Sequence, residues 1–133
     1  MPIRRLAIIA LPVAASVAAL ATSTGAYAAA AAPSAVKKGH CGGSSTYSLQ
    51  VQRETRTTIS VDWGVDMLAH TKGVKWTVHE VDNTNQFVSK FVSTSADGSF
   101  STTRAIASQP TNLLTASATN PATGETCTAS AAV

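Results

Sequence analysis

Three histidines, seven carboxylates and two cysteines carry most of the reactive chemistry in this 133-residue chain. His40, His70 and His79 could in principle hold a zinc ion or share a proton as an acid–base pair. His40 directly precedes Cys41, and adjacent side chains are poorly placed to chelate one ion together. His70 falls in a loop between two apolar runs. His79 falls on the polar side of an alternating run. All three read as solvated surface groups, so no metal and no cofactor are expected. Asp82-Asn83-Thr84-Asn85 is rich in oxygen ligands. It lacks the ordered spacing of a calcium loop and reads as a turn. Asp62 and Asp66 would share one strand face about 13 Å apart, too far for a paired-carboxylate hydrolase. The remaining acids are scattered and largely on predicted wet faces. No G-x-S-x-G is present, and Gly42-Gly43 precedes a strand-like run rather than a helix, so it is no phosphate loop. The sequence is read as that of a non-enzyme, with no catalytic residue.

Cys41 and Cys127 are the only cysteines. Free thiols or a metal site are the alternatives to a bond between them. Neither cysteine has a C-x-x-C partner or a histidine at finger spacing. A Cys41–Cys127 disulfide is therefore expected. Chain-entropy reasoning assigns a loop of this length roughly 4–5 kcal/mol before any strain is subtracted.

The compartment follows from the amino terminus. Arg4 and Arg5 precede an apolar stretch from Leu6 to Ala21, and Ala26-Tyr27-Ala28 supplies an A-x-A pattern. Residues 1–28 read as a signal peptide, with Ala26, Ala28 and Ala29 marking a cut after Ala28. The apolar stretch is shorter than the roughly 20 residues of a membrane span, so no span is expected after cleavage. Residues 29–40, small and Ala-rich at the start, read as a flexible lead-in. Residues 41–133 form the expected domain. Without Arg4 and Arg5, eight Lys and Arg face seven Asp and Glu, a net charge of +1. The basic character of the precursor is therefore no sign of nucleic-acid binding.

The elements positioning these groups alternate with period two. Tyr47, Leu49 and Val51 share one face, as do Ile59, Val61, Trp63 and Val65, and Val74, Trp76 and Val78. Thr, Val and Ile dominate these runs, which suits strands. Four more runs cover 86–93, 100–107, 112–119 and 125–132, separated by turn signals such as Asp97-Gly98 and Asn120-Pro121. About seven strands predict an all-β, antiparallel, immunoglobulin-like sandwich. The two tryptophans are in phase with core positions. In run 86–93, Phe87 and Phe91 face one way and Val88 and Val92 the other, so one pair must be exposed or covered. The loop residues Met67 and Leu68 are the candidate cover. Met67, Leu68, Phe87, Val88, Phe91 and Val92 form the candidate interaction surface.

Gly73-Val74-Lys75-Trp76-Thr77-Val78, Ala96-Asp97-Gly98-Ser99-Phe100 and the segment Ala118 to Cys127 resemble small secreted immunoglobulin-like or fibronectin-type-III-like proteins of actinobacteria. The resemblance runs from Cys41 to the end. It implies a sandwich fold and an extracellular location, and no catalytic residue. In size and class the chain also resembles actinobacterial carriers of enediyne chromophores, which hold two short-loop disulfides where this chain has one cysteine pair.

The expected function is a secreted, non-catalytic binding or structural module, free or cell-wall associated. Its partner would be an extracellular protein or a cell-wall component, and not nucleic acid. A small-ligand carrier would need a deep apolar cleft. A protease inhibitor would need a rigid exposed loop, with Met67-Leu68 as bait. A small hydrolase would need His70 or His79 to meet a carboxylate in a pocket.

Overall fold

The computed structural model describes residues 33–133; the expected signal peptide, residues 1–28, and the expected cleavage residues lie outside them. Eight strands follow in order: β1 (Ser34–His40), β2 (Thr46–Arg53), β3 (Thr58–Asp66), β4 (Lys75–Asp82), β5 (Asn85–Ser93), β6 (Ser99–Ala107), β7 (Leu113–Thr119) and β8 (Thr126–Ala132). They form two four-stranded antiparallel sheets, β1-β2-β3-β6 and β5-β4-β7-β8. Setting β1 aside, the remaining seven strands divide three and four between the sheets in an immunoglobulin-like order. Among the described residues no helix is long and apolar enough to cross a membrane.

Alternation decides which side of each strand is dry. Leu49 and Val51 of β2 and Ile59, Val61, Trp63 and Val65 of β3 meet Trp76 and Val78 of β4 in one cluster. The opposing sheet supplies mostly small residues from its last two strands: Ala116 and Ala118 of β7, and Cys127, Ala129 and Ala131 of β8. The large side chains of β2, β3 and β4 against the small ones of β7 and β8 suit the roughly 10 Å spacing of packed sheets. Trp63 stacks with Tyr47 at 5.6 Å between ring centroids, and Trp76 with Phe100 at 5.9 Å.

Two expectations are corrected. The lead-in does not extend to His40. Residues 34–40 pair with β2 along their whole length, from Ser34 opposite Gln52 to His40 opposite Thr46. This edge strand has only three inward positions, Ala35, Lys37 and Gly39. It therefore shows little of the apolar alternation that marks a strand, and pairing makes it one. The domain accordingly has eight strands, and Cys41 lies in the turn after the first of them. The second correction concerns β5. Its register against β4 shifts between Glu80 and Val81, leaving Phe87 as an extra residue. Val88 is buried and cannot belong to a surface. Val92 and Phe87 pack partly against the core, and Phe91 points outward at 75 % exposure.

The staple forms as expected. Cys41 and Cys127 are bonded with their Cα atoms 4.3 Å apart. The bond ties the β1–β2 turn to β8 and thus one sheet to the other. Gly42 N–H donates to Thr126 O at 2.9 Å beside it. The Glu125 carboxylate accepts from Ser45 N–H at 2.9 Å and from the Ser45 hydroxyl at 3.0 Å. Replacing both cysteines by serine is expected to lower unfolding free energy by about 2–5 kcal/mol. Urea unfolding of the oxidised wild type and the double variant measures this; a difference under about 1 kcal/mol would show that the bridge adds little to the contacts already joining the sheets.

Candidate functional site

The outer face of the β1-β2-β3-β6 sheet carries the principal concavity. In cross-strand register, His40, Thr46, Asp66 and Ser99 form one row across the four strands, and Lys38, Ser48, Gly64 and Ser101 form the next. Residues two apart on a strand share a face, so both rows point outward. Over them lies an open groove of about 690 Å³. Gly64 makes the dip, because it is the one position in the middle of these rows without a side chain. A Cβ there would stand 3.3 Å from Phe100 O. A smaller hollow of about 280 Å³ continues from Ser48 and Gly64 toward Gln50, Asp62 and Thr103. Asp62 accepts from the Thr103 hydroxyl at 2.6 Å. The groove carries bases on β1, hydroxyls on β2 and β6 and a carboxylate on β3.

The residues singled out in the sequence do not converge. His40 sits on the groove rim, His70 in the β3–β4 loop and His79 on the outer face of the other sheet. His70 Nδ1 is 2.8 Å from Asp97 O, a backbone partner. No group of three or more His, Cys, Asp or Glu is placed to hold a metal ion among the described residues. Asp82 to Asn85 forms the β4–β5 turn. Asn83 adopts φ 54°, its amide donates to Gln109 Oε1 and Thr111 O, and its side-chain oxygen accepts Leu113 N–H at 3.1 Å. Trp63 and Trp76 are fully buried. Met67 packs on the core while Leu68 is exposed. The tight turn holding Leu68 and Ala69 is closed by His70 N–H to Met67 O at 3.2 Å, and Met67 N–H binds Gly98 O at 3.0 Å. These bonds fix the loop against the β5–β6 turn, where Gly98 leaves room: a Cβ on it would come within 2.8 Å of His70 Cα.

Sequence reading missed the groove because its residues are ordinary wet-face polar groups, and only the sheet order β1-β2-β3-β6 brings them side by side. It also placed the acids largely on wet faces, which holds for five of the seven, with Glu80 and Asp82 the exceptions. Glu80 is 1 % and Asp82 7 % exposed. Both are in phase with Trp76 and Val78, so the period-two signal was present in the sequence. Asp82 Oδ2 accepts Asn112 Nδ2–H at 2.8 Å. The Thr102 hydroxyl donates to Glu80 Oε1, while Glu80 Oε2 and both indole N–H groups are buried without a protein partner.

Burial pushes the Glu80 carboxyl above its ordinary 4.5, opposed by the Thr102 hydrogen bond and by the charges of Lys90 and Arg104. A raised carboxyl binds its proton more tightly in the folded chain, so Glu80's contribution to folding stability is fully present below about pH 4.5 and is lost as pH rises through the raised value. Exposed Asp97 behaves oppositely. Hydrogen bonds from Ser95 and Ser99 lower it to about 2, so its contribution fades only below its ordinary 3.8. The two windows do not overlap. Thermal melts between about pH 4 and 8 are expected to show the decline in wild type and a flatter profile in Glu80→Gln, with the variant at least as stable near pH 7. Equal slopes would remove Glu80 as the cause.

A scan against family models finds none that matches this chain, and neither the curated proteins nor the solved structures contain a match, so the candidate site stands on its own geometry.

Proposed function

We propose that this chain is the precursor of an exported, non-catalytic immunoglobulin-like module that binds an extracellular protein or a cell-wall component. The observation that carries the reading is the open groove of about 690 Å³ on the outer face of a sandwich tied by a disulfide. Its volume is that of small-ligand sites, and its polar groups sit on strands, which hold a ligand-facing surface more rigidly than loops do. Export is supported by the Arg4-Arg5, Leu6 to Ala21 and Ala26-x-Ala28 pattern and by the disulfide, a bond typical of oxidising compartments. The charged groups Lys38, His40 and Asp66 along an open groove favour a ligand with polar ends over the enclosed apolar cargo of a carrier. The turn at Leu68-Ala69 does not offer the extended backbone taken up by strand-adding recognition, which weighs against Met67-Leu68 as an inhibitor's bait.

The test uses protein recovered from culture medium. Its intact mass is expected to begin at Ala29 and to lack two hydrogens. This mature form is expected to sediment with isolated cell walls of the producing organism or to retain a protein from its medium. Ser48→Trp, which a strand accommodates, is expected to fill the groove and cut retention at least fivefold without unfolding the domain. Phe91→Ser, on the other sheet, is expected to leave retention unchanged. Retention indifferent to Ser48→Trp and abolished by Phe91→Ser would move the site to β5. An uncleaved chain would overturn the export reading.

A further inference from the structure

The groove carries opposite charges two strands apart. Lys38 and His40 stand on β1, and Asp66 stands on β3, with Thr46 and Ser48 of β2 between them. All belong to the two outward rows, and Lys38, His40 and Asp66 are exposed. Strands β1 and β3 are separated by two strand spacings, about 9.6 Å. An acceptor on β3 and donors on β1 at that separation match a molecule with a cationic and an anionic end about 10 Å apart. A peptide with free ends has this form, and three extended residues span about 10 Å.

We propose that the groove binds a short dipolar peptide of about three residues, laid across the strands, with its ammonium at Asp66 and its carboxylate at Lys38 and His40. This rests on the groove being the ligand surface of the module. Gly64 lets the peptide backbone come down onto the sheet, and the hydroxyls of Thr46, Ser48 and Ser99 serve its amides. A sugar is the less suited occupant, because no aromatic ring forms a platform on this face. Tyr47, Val65 and Phe100 also border the groove, but Val65 and Phe100 are buried, the Phe100 ring packs on Trp76 and the Tyr47 ring on Trp63. The polar groups of the groove thus recognise the ends and the backbone.

The experiment titrates mature protein with trialanine, N-acetyl-trialanine and trialanine amide, following backbone amide resonances. Trialanine is expected to shift Ser48 and Gly64, and either cap is expected to weaken its binding at least tenfold. In Asp66→Asn the free and acetylated peptides are expected to bind alike, and in Lys38→Gln the penalty for the amide is expected to shrink. A substitution that merely disturbed the fold would not abolish one cap's penalty and leave the other's intact. The proposal is overturned if capped and free peptides bind wild type equally, or if no resonance of the groove moves. If cell walls or a medium protein are still retained in a Ser48-dependent way while trialanine leaves the groove untouched, the ligand class is wrong and the module reading stands. If Ser48→Trp abolishes neither, the groove is not the ligand surface and the peptide proposal fails with it.

Discussion

Everything in this molecule depends on one packing constraint: two tryptophans must be enclosed between sheets that are only about 10 Å apart. Trp63 comes from β3 and Trp76 from β4, so each sheet contributes one indole. The room is made by β7 and β8, whose inward residues are alanines together with Leu114 and half of the disulfide. A larger residue at Ala116 or Ala118 would force the sheets apart, and inserted methylenes in a tight core typically cost about 1–3 kcal/mol. The outer face of the β1-β2-β3-β6 sheet inherits its shape from this arrangement. Because Trp63 and Val65 point inward, Gly64 between them points outward, and the groove floor is the reverse of the core.

The core also tolerates a buried acid. Glu80 shares its face with the tryptophans and is held through Thr102 of β6, so the bond links β4 of one sheet to β6 of the other. Lys90 and Arg104 occupy core-side positions on the two edge strands nearby, opposite Val78 and Val61 respectively. Charges directed inward from edge strands discourage pairing with another chain. The same two cations temper the cost of the buried carboxylate. One pair of residues thus serves both the edges and the interior.

Much of the fold was legible because alternation is a strong signal where one face is fully dry. The runs around Leu49, Trp63 and Trp76 have that property, and so the sandwich and its disulfide followed from residue types. β1 was not legible, since an edge strand with Lys37 and Gly39 facing inward has no apolar face to betray it. The bulge at Phe87 was hidden for a related reason: Phe87 and Phe91 are in phase along the chain, and only the partner strand reveals the extra residue. The groove was out of reach altogether. Lys38, Ser48, Gly64 and Ser99 are spread over sixty residues and become neighbours through sheet order, which no local pattern encodes. Glu80 was the avoidable omission, because its phase with Trp76 and Val78 was visible.

The disulfide has one more consequence. It closes a covalent ring from Cys41 to Cys127 that contains β2 through β7 and the start of β8. A single cut in any exposed loop inside that ring, such as the one around Leu68, leaves two pieces joined by the bridge. The pieces stay at high effective concentration and can remain assembled. A ring of this kind lets the domain outlast a nick that would let an open chain fall apart.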